Sequence, residues 1–130
     1  MRVAILGAGG VALGYAGMLD QRGFDPVIWT PTGRSICDLA GPDLRCVGAF
    51  DHSYAPVFAT SLTEAVEGAA VVILAMRGNG HKSALDLLSG QLRYGQQVVI
   101  SAELSLGGLY LAQRLAAQAA HSPISSLGTT

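Results

Sequence analysis

Between Gly7 and Ala12 the chain reads Gly-Ala-Gly-Gly-Val-Ala, directly after the apolar run Val3-Ala-Ile-Leu6. Gly7, Gly9 and Ala12, with Ala8, Gly10 and Val11 between them, fit the pattern G-x-G-x-x-[GA]. In such a turn the first glycine makes the tight passage from strand to helix. The second lets an anion approach the backbone, and the third small residue lets the helix pack close to the strand. A phosphate then rests on N–H groups at the positive end of a helix. The pyrophosphate of a dinucleotide is the ligand that suits this spacing. A Walker A loop is excluded, because no Gly-Lys-Ser/Thr follows.

Which dinucleotide it suits is read about 20 residues further on, where an Asp or Glu would hold a ribose 2′-hydroxyl. There the chain reads Val27-Ile-Trp-Thr-Pro-Thr-Gly-Arg-Ser35, with Thr30 in the expected slot and no carboxylate before Asp38. A 2′-phosphate wants hydroxyl donors and a guanidinium, which Thr30, Thr32, Arg34 and Ser35 can supply. The spacing therefore predicts NADP, with NAD as the alternative cofactor. Thr30 also counts against S-adenosylmethionine, whose ribose hydroxyls want an acid at the same place.

These groups need a parallel sheet to hold them, and the chain alternates accordingly. Arg2–Leu6 reads as a first strand and Gly10–Gln21 as a helix closed by Gly23. Ala16 and Gly17 extend the small helix face that close packing on the strand wants. Val27–Trp29 is a second strand entered through Pro26. Leu44–Val47 and Val57–Ala59 read as short strands around a polar, glycine-containing turn. Ser61-Leu-Thr-Glu64 is a capping box and predicts a short helix to about Glu67, with Gly68 after it. Ala70–Met76 is an unbroken apolar run, the clearest buried strand. Leu85, Leu88 and Leu92 fall at helical spacing, and Val98–Ile100 reads as another strand. Leu111, Ala112, Leu115, Ala116 and Ala119 then form a helix face, and Ser122–Leu127 a last strand. This rhythm predicts a doubly wound, Rossmann-type α/β fold over residues 1–130, with a mainly parallel sheet and helices on both faces.

Half of the 130 residues are apolar and the mean hydropathy is +0.41. Strands buried on both faces account for that surplus. No apolar run approaches the roughly 18–20 residues of a transmembrane helix, and the first one ends in glycines rather than a cleavage site. No membrane association is expected. Cys37 and Cys46 are too few for a disulfide framework and lack metal-type spacing, which predicts a reducing, cytoplasmic setting and no metal. A net charge of −1 gives no electrostatic case for nucleic acid or an acidic membrane.

The chain resembles the N-terminal NAD(P)-binding domain of the octopine/nopaline (opine) dehydrogenases, with wider similarity to ketopantoate reductases and glycerol-3-phosphate dehydrogenases. RVAILGAGGVALGYAGMLDQRGFDPVIW and SLTEAVEGAAVVILAMRGNGH carry the resemblance, supported by QQVVISAELSLGGLYLAQRLA and SSLGTT. It implies an NAD(P)-dependent oxidoreductase that reduces the imine of an amino acid and a 2-oxo acid, hydride passing from the nicotinamide to the imine carbon. It places Gly7, Gly9, Gly10, Val11 and Ala12 at the pyrophosphate and Thr30 and Arg34 at the adenosine end. Ala75, Met76 and Arg77 would line the ribose and nicotinamide. His81 matches a loop histidine of several relatives and would join the cofactor-binding residues; a place near the start of the next helix, with no catalytic duty, suits it as well. Relatives commonly carry Asp where this chain has Ala70.

Opine dehydrogenases hold their catalytic histidine and substrate-binding groups in an all-helical second domain. The resemblance therefore implies that this domain lies outside the 130 residues, and it assigns no catalytic residue within them. His52 reads as part of a polar turn, and His121 as the end of a helix, where a cation suits the dipole. Loops at Arg77–His81 and Ser101–Ser105 would form the floor of the site. An uncovered apolar face around Leu104, Leu106 and Leu109 predicts a homodimer. The alternatives are a ketopantoate reductase-like reduction of a 2-oxo acid and a non-catalytic, nucleotide-sensing domain.

Overall fold

Four of the five residues of the first strand, β1 (Arg2–Leu6), are buried, which requires cover on both of its faces. The computed structural model describes residues 1–33, 43–102 and 106–127. From β1 the chain turns into α1 (Gly10–Gln21), returns through β2 (Asp25–Trp29), and later forms β3 (Leu44–Cys46), β4 (His52–Tyr54) and β5 (Val57–Phe58). It continues through α2 (Leu62–Val66), β6 (Val71–Leu74), α3 (His81–Ser89), β7 (Gln97–Ile100), α4 (Gly107–Ala117) and β8 (Ile124–Ser126). Among the described residues, six strands form one parallel sheet in the order β5-β2-β1-β6-β7-β8. The chain thus winds outward from β1 to one edge, crosses back, and continues from β6 to the other. The order reverses between β1 and β6, and doubly wound sheets bind ligands outside the strand ends at such a point.

Alternation along the strands decides what covers each face. Val3, Ile5, Ile28 and Ile73 lie under Ala12 and Ala16 of α1. Ala4, Leu6, Val72, Leu74, Val98 and Ile100 pack on the opposite face against Ala65 and Val66 of α2, Leu85 and Leu88 of α3, and Leu111 and Leu115 of α4. Ser61 caps α2 by accepting from the Glu64 N–H at 3.1 Å. The Glu64 carboxylate reaches one residue further back than the expected capping box. It accepts from both the N–H and the hydroxyl of Thr60, at 2.7 Å each, and those two bonds hold its carboxyl below the usual range. No helix of the described residues is long and apolar enough to cross a membrane.

Several expectations change. Leu44–Cys46 pairs antiparallel with His52–Tyr54 in a separate two-stranded sheet, whereas Val57–Phe58 joins the main sheet beside β2. The polar look of His52-Ser-Tyr54 conceals a strand that faces α1. Tyr54 donates its hydroxyl to the Leu13 carbonyl at 2.8 Å, and His52 Nε2 lies 2.7 Å from Asp20 Oδ2. Gly17 therefore serves this hairpin and not the sheet: a Cβ there would stand 2.5 Å from Cys46 Sγ and 2.9 Å from the Tyr54 ring. On α4 Gly107, Leu111 and Leu115 are buried; Ala112 and Ala116 are exposed, which costs little for so small an apolar side chain. Ala119 lies beyond the helix with φ of 52°, and His121 follows the end of α4 by four residues rather than closing it.

Candidate functional site

Leu6, the last residue of β1, is paired with Trp29 of β2 on one side and Leu74 of β6 on the other. The chain exits at Gly7, Thr30 and Ala75 are consequently neighbours on one edge of the sheet. Gly7 is required there twice over. Its φ is +131°, a conformation glycine alone adopts cheaply, and a Cβ would lie 2.2 Å from the Ala75 carbonyl oxygen. Its N–H donates to the Trp29 carbonyl at 2.8 Å, stitching the turn across the end of β2.

Gly9 and Gly10 are glycines for another reason. Gly9 is the N-cap of α1 with φ of −83° and ψ of 176°, and no side chain caps the helix or places an acid in its first turn. The N–H groups of that turn have no acceptor within the helix. A Cβ at Gly9 or at Gly10 would meet nothing within 4 Å. Nothing in the protein's own packing demands glycine at these two places, whereas an anion resting on the N–H groups would. Ala12, one turn on, is fully buried on the sheet, so its small size sets the helix close to β1; Ala8 is half-buried and Val11 exposed. These residues fit a bound pyrophosphate.

Thr30 and Thr32 line a cavity of about 980 Å³ that opens between the end of β2 and the β5–α2 connection, within the size range of small-molecule sites. Phe58, Thr60 and Ser61 close its far side. The Thr60 hydroxyl donates to Glu64 and the Ser61 oxygen accepts from it, while Thr30, Thr32 and Gln91 add further polar groups to the lining. No carboxylate of the described residues lines the cavity. Arg34 and Ser35 lie outside the described residues. Phe58, Thr60 and Ser61 escaped the sequence reading. The capping box marks a helix start, but not the pairing of β5 with β2 that brings it to this edge.

On the other side of Gly7, Ala75 is buried and its N–H donates to the Leu6 carbonyl at 2.9 Å. Met76 is half-buried and Arg77 exposed. A short 3-10 turn, Gly78–Gly80, then leads into α3. His81 opens that helix but points inward. It is 6% exposed, and its Nε2 lies 2.9 Å from the Met76 carbonyl oxygen. A carbonyl only accepts, so Nε2 carries the proton. The glycine turn, Thr30, Thr32 and the Ala75–Arg77 exit thus share one edge, with His81 behind it. Glu103, Leu104 and Ser105 of the next loop lie outside the described residues. His52 is on the hairpin that packs on α1, and His121 is beyond α4.

Residues 3–103 match the family described as ketopantoate reductase PanE/ApbA. A comparison with curated protein sequences gives no match. Among solved structures, octopine dehydrogenase, in a complex described with NADH and L-arginine, superposes with a TM-score of 0.81 at 18% identity over 98% of this chain and 34% of that one. A PanE/ApbA family ketopantoate reductase from Ralstonia eutropha JMP134 gives 0.71 at 22% identity, over 97% of this chain and 40% of that one. An imine reductase from Myxococcus stipitatus in complex with NADP+ gives 0.68 at 16% identity, over 100% of this chain and 42% of that one. At these identities the likeness shows the α/β fold, and the chain spans between about a third and two-fifths of the length of these proteins.

Proposed function

The chain belongs to the ketopantoate reductase PanE/ApbA family, and from that premise we propose that it forms the NADP-binding domain of an NAD(P)-dependent oxidoreductase. The observation that carries this reading is the first turn of α1, where Gly9 and Gly10 leave open space above uncapped N–H groups. Those N–H groups and the positive helix end hold the pyrophosphate. Thr30 and Thr32, with Arg34, take the adenosine ribose and its 2′-phosphate. Ala75, Met76 and Arg77 border the ribose and nicotinamide. When bound, the cofactor supplies a hydride.

The substrate class is a 2-oxo acid or the imine it forms with an amino acid. Family membership favours the ketone; the imine is favoured by the resemblance to opine dehydrogenases. Cys46 is a free thiol, which supports a cytoplasmic setting. Leu106 and Leu109 are 71% and 67% exposed, and they support self-association as a homodimer; light scattering should return twice the monomer mass, and a monomer would remove that part of the reading. For the cofactor site the test is Gly9→Val. Its side chain fits the free protein, so the variant should fold, with a stability loss of about 1 kcal/mol or less for a poorer N-cap. Calorimetry should find NADPH binding abolished. Binding at unchanged affinity would refute the assignment of the turn.

A further inference from the structure

We propose that His81 is a positioning residue, which fixes the glycine turn through Met76 without touching the cofactor. The functional consequence rests on the cofactor reading above; the structural coupling does not. The ring is held in the core, because α3 is anchored by Ala84, Leu85 and Leu88, each 1% exposed or less. From that anchor Nε2–H donates to the Met76 carbonyl at 2.9 Å. The peptide joining Ala75 to Met76 lies directly against Gly7. A Cβ on Gly7 would stand 2.2 Å from the Ala75 oxygen, 2.8 Å from its carbonyl carbon and 3.3 Å from the Met76 nitrogen. Gly7 in turn bonds to Trp29 and leads two residues later to the pyrophosphate turn.

Among the described residues, hydrogen bonds from this end of β6 to the neighbouring strands reach only the Ala75 N–H on one side and the Leu74 carbonyl on the other. Ladder support on the β1 side of β6 ends where the Ala75 N–H meets the Leu6 carbonyl. Beyond that point the Met76 carbonyl is fixed by the imidazole. The loop between them is shaped to allow it. Gly80 donates its N–H to the Arg77 carbonyl at 2.9 Å, and a Cβ on Gly80 would come within 3.3 Å of Met76 Sδ. Loss of the imidazole would leave the Met76 carbonyl without its donor and free the Met76–Arg77 peptide, the unit that follows the one packed against Gly7.

The test compares His81→Ala with His81→Gln, whose amide can present a donor near the place of Nε2. Amide hydrogen exchange is followed in the ligand-free chain, and NADPH is titrated into each protein. In His81→Ala, exchange at Gly7 and Met76 should rise and NADPH affinity should fall about tenfold, the scale of one lost buried hydrogen bond. Exchange in β7 and β8 should be unchanged, and His81→Gln should restore most of both effects. Unchanged Gly7 exchange in His81→Ala, or no rescue by Gln, would overturn the proposal. If Gly7 exchange rises and is rescued while the unsubstituted chain fails to bind NADPH, the coupling stands and the cofactor reading falls.

Discussion

A methyl group on Gly7 would be driven into the Ala75 carbonyl at a φ of +131°, whereas one on Gly9 would project into open space. Gly7→Ala should therefore lose about 3 kcal/mol or more of folding stability, from backbone strain plus a clash that cannot relax without opening the end of β6. Chemical denaturation beside Gly9→Val reads the difference: the first variant loses stability and the second loses ligand. Equal stability of the two would contradict the roles given to them. The glycine turn was legible in the sequence because its demands are local, one residue type for each backbone or ligand contact. The duty of His81 was not, since its partner is a main-chain carbonyl and no sequence pattern marks which carbonyl a histidine will meet. Gly17 misled for a related reason. A small residue on a helix announces a close neighbour without saying whether that neighbour is the sheet or a hairpin.

The β3–β4 hairpin is the element that the sequence concealed, and its junction with α1 carries a pH signature. Burial first, and then the nearby Cys46 and Asp20 charges, push the Tyr54 phenol up from 10.0 to about 12. The raised value stabilises the fold as long as the phenol is neutral. The contribution is complete below pH 10, where both states are protonated. It declines as the unfolded chain ionises first, and it is gone once the pH passes the folded value near 12. Stability followed through that window should fall, and Tyr54→Phe should flatten the part of the fall due to this phenol, at a cost near neutral pH of about 0.5–1.5 kcal/mol for the lost bond to Leu13. An alkaline profile indifferent to Tyr54→Phe would contradict the packing described. Long apolar strands such as β1 and β6 were readable from composition. The polar β4 was not, because it is a strand only by virtue of its partner, and β5 was readable as a strand but not as the neighbour of β2. The face of α4 was drawn too wide for the same reason, alanine being apolar enough to suggest a core and small enough to leave one.

At the scale of the whole molecule, the doubly wound parallel sheet was implied by the alternation of strands and helices, and the strand order adds adjacency. Gly7, Thr30 and Ala75 lie far apart in the chain and side by side on one edge, because β1 sits between β2 and β6. The cavity at the end of β2 offers Thr30 and Thr32 and, among the described residues, no carboxylate. The lack of a carboxylate there is the feature on which the proposed preference for a ribose 2′-phosphate over a 2′-hydroxyl rests. The central claim is that this edge binds a phosphorylated dinucleotide, and fluorescence titration of the 130-residue chain with NADPH and with NADH tests it most directly. The account predicts saturable binding of both, with NADPH tighter by about tenfold or more, the scale of a charge-assisted contact. Equal affinities, tighter binding of NADH, or no binding of either would contradict it.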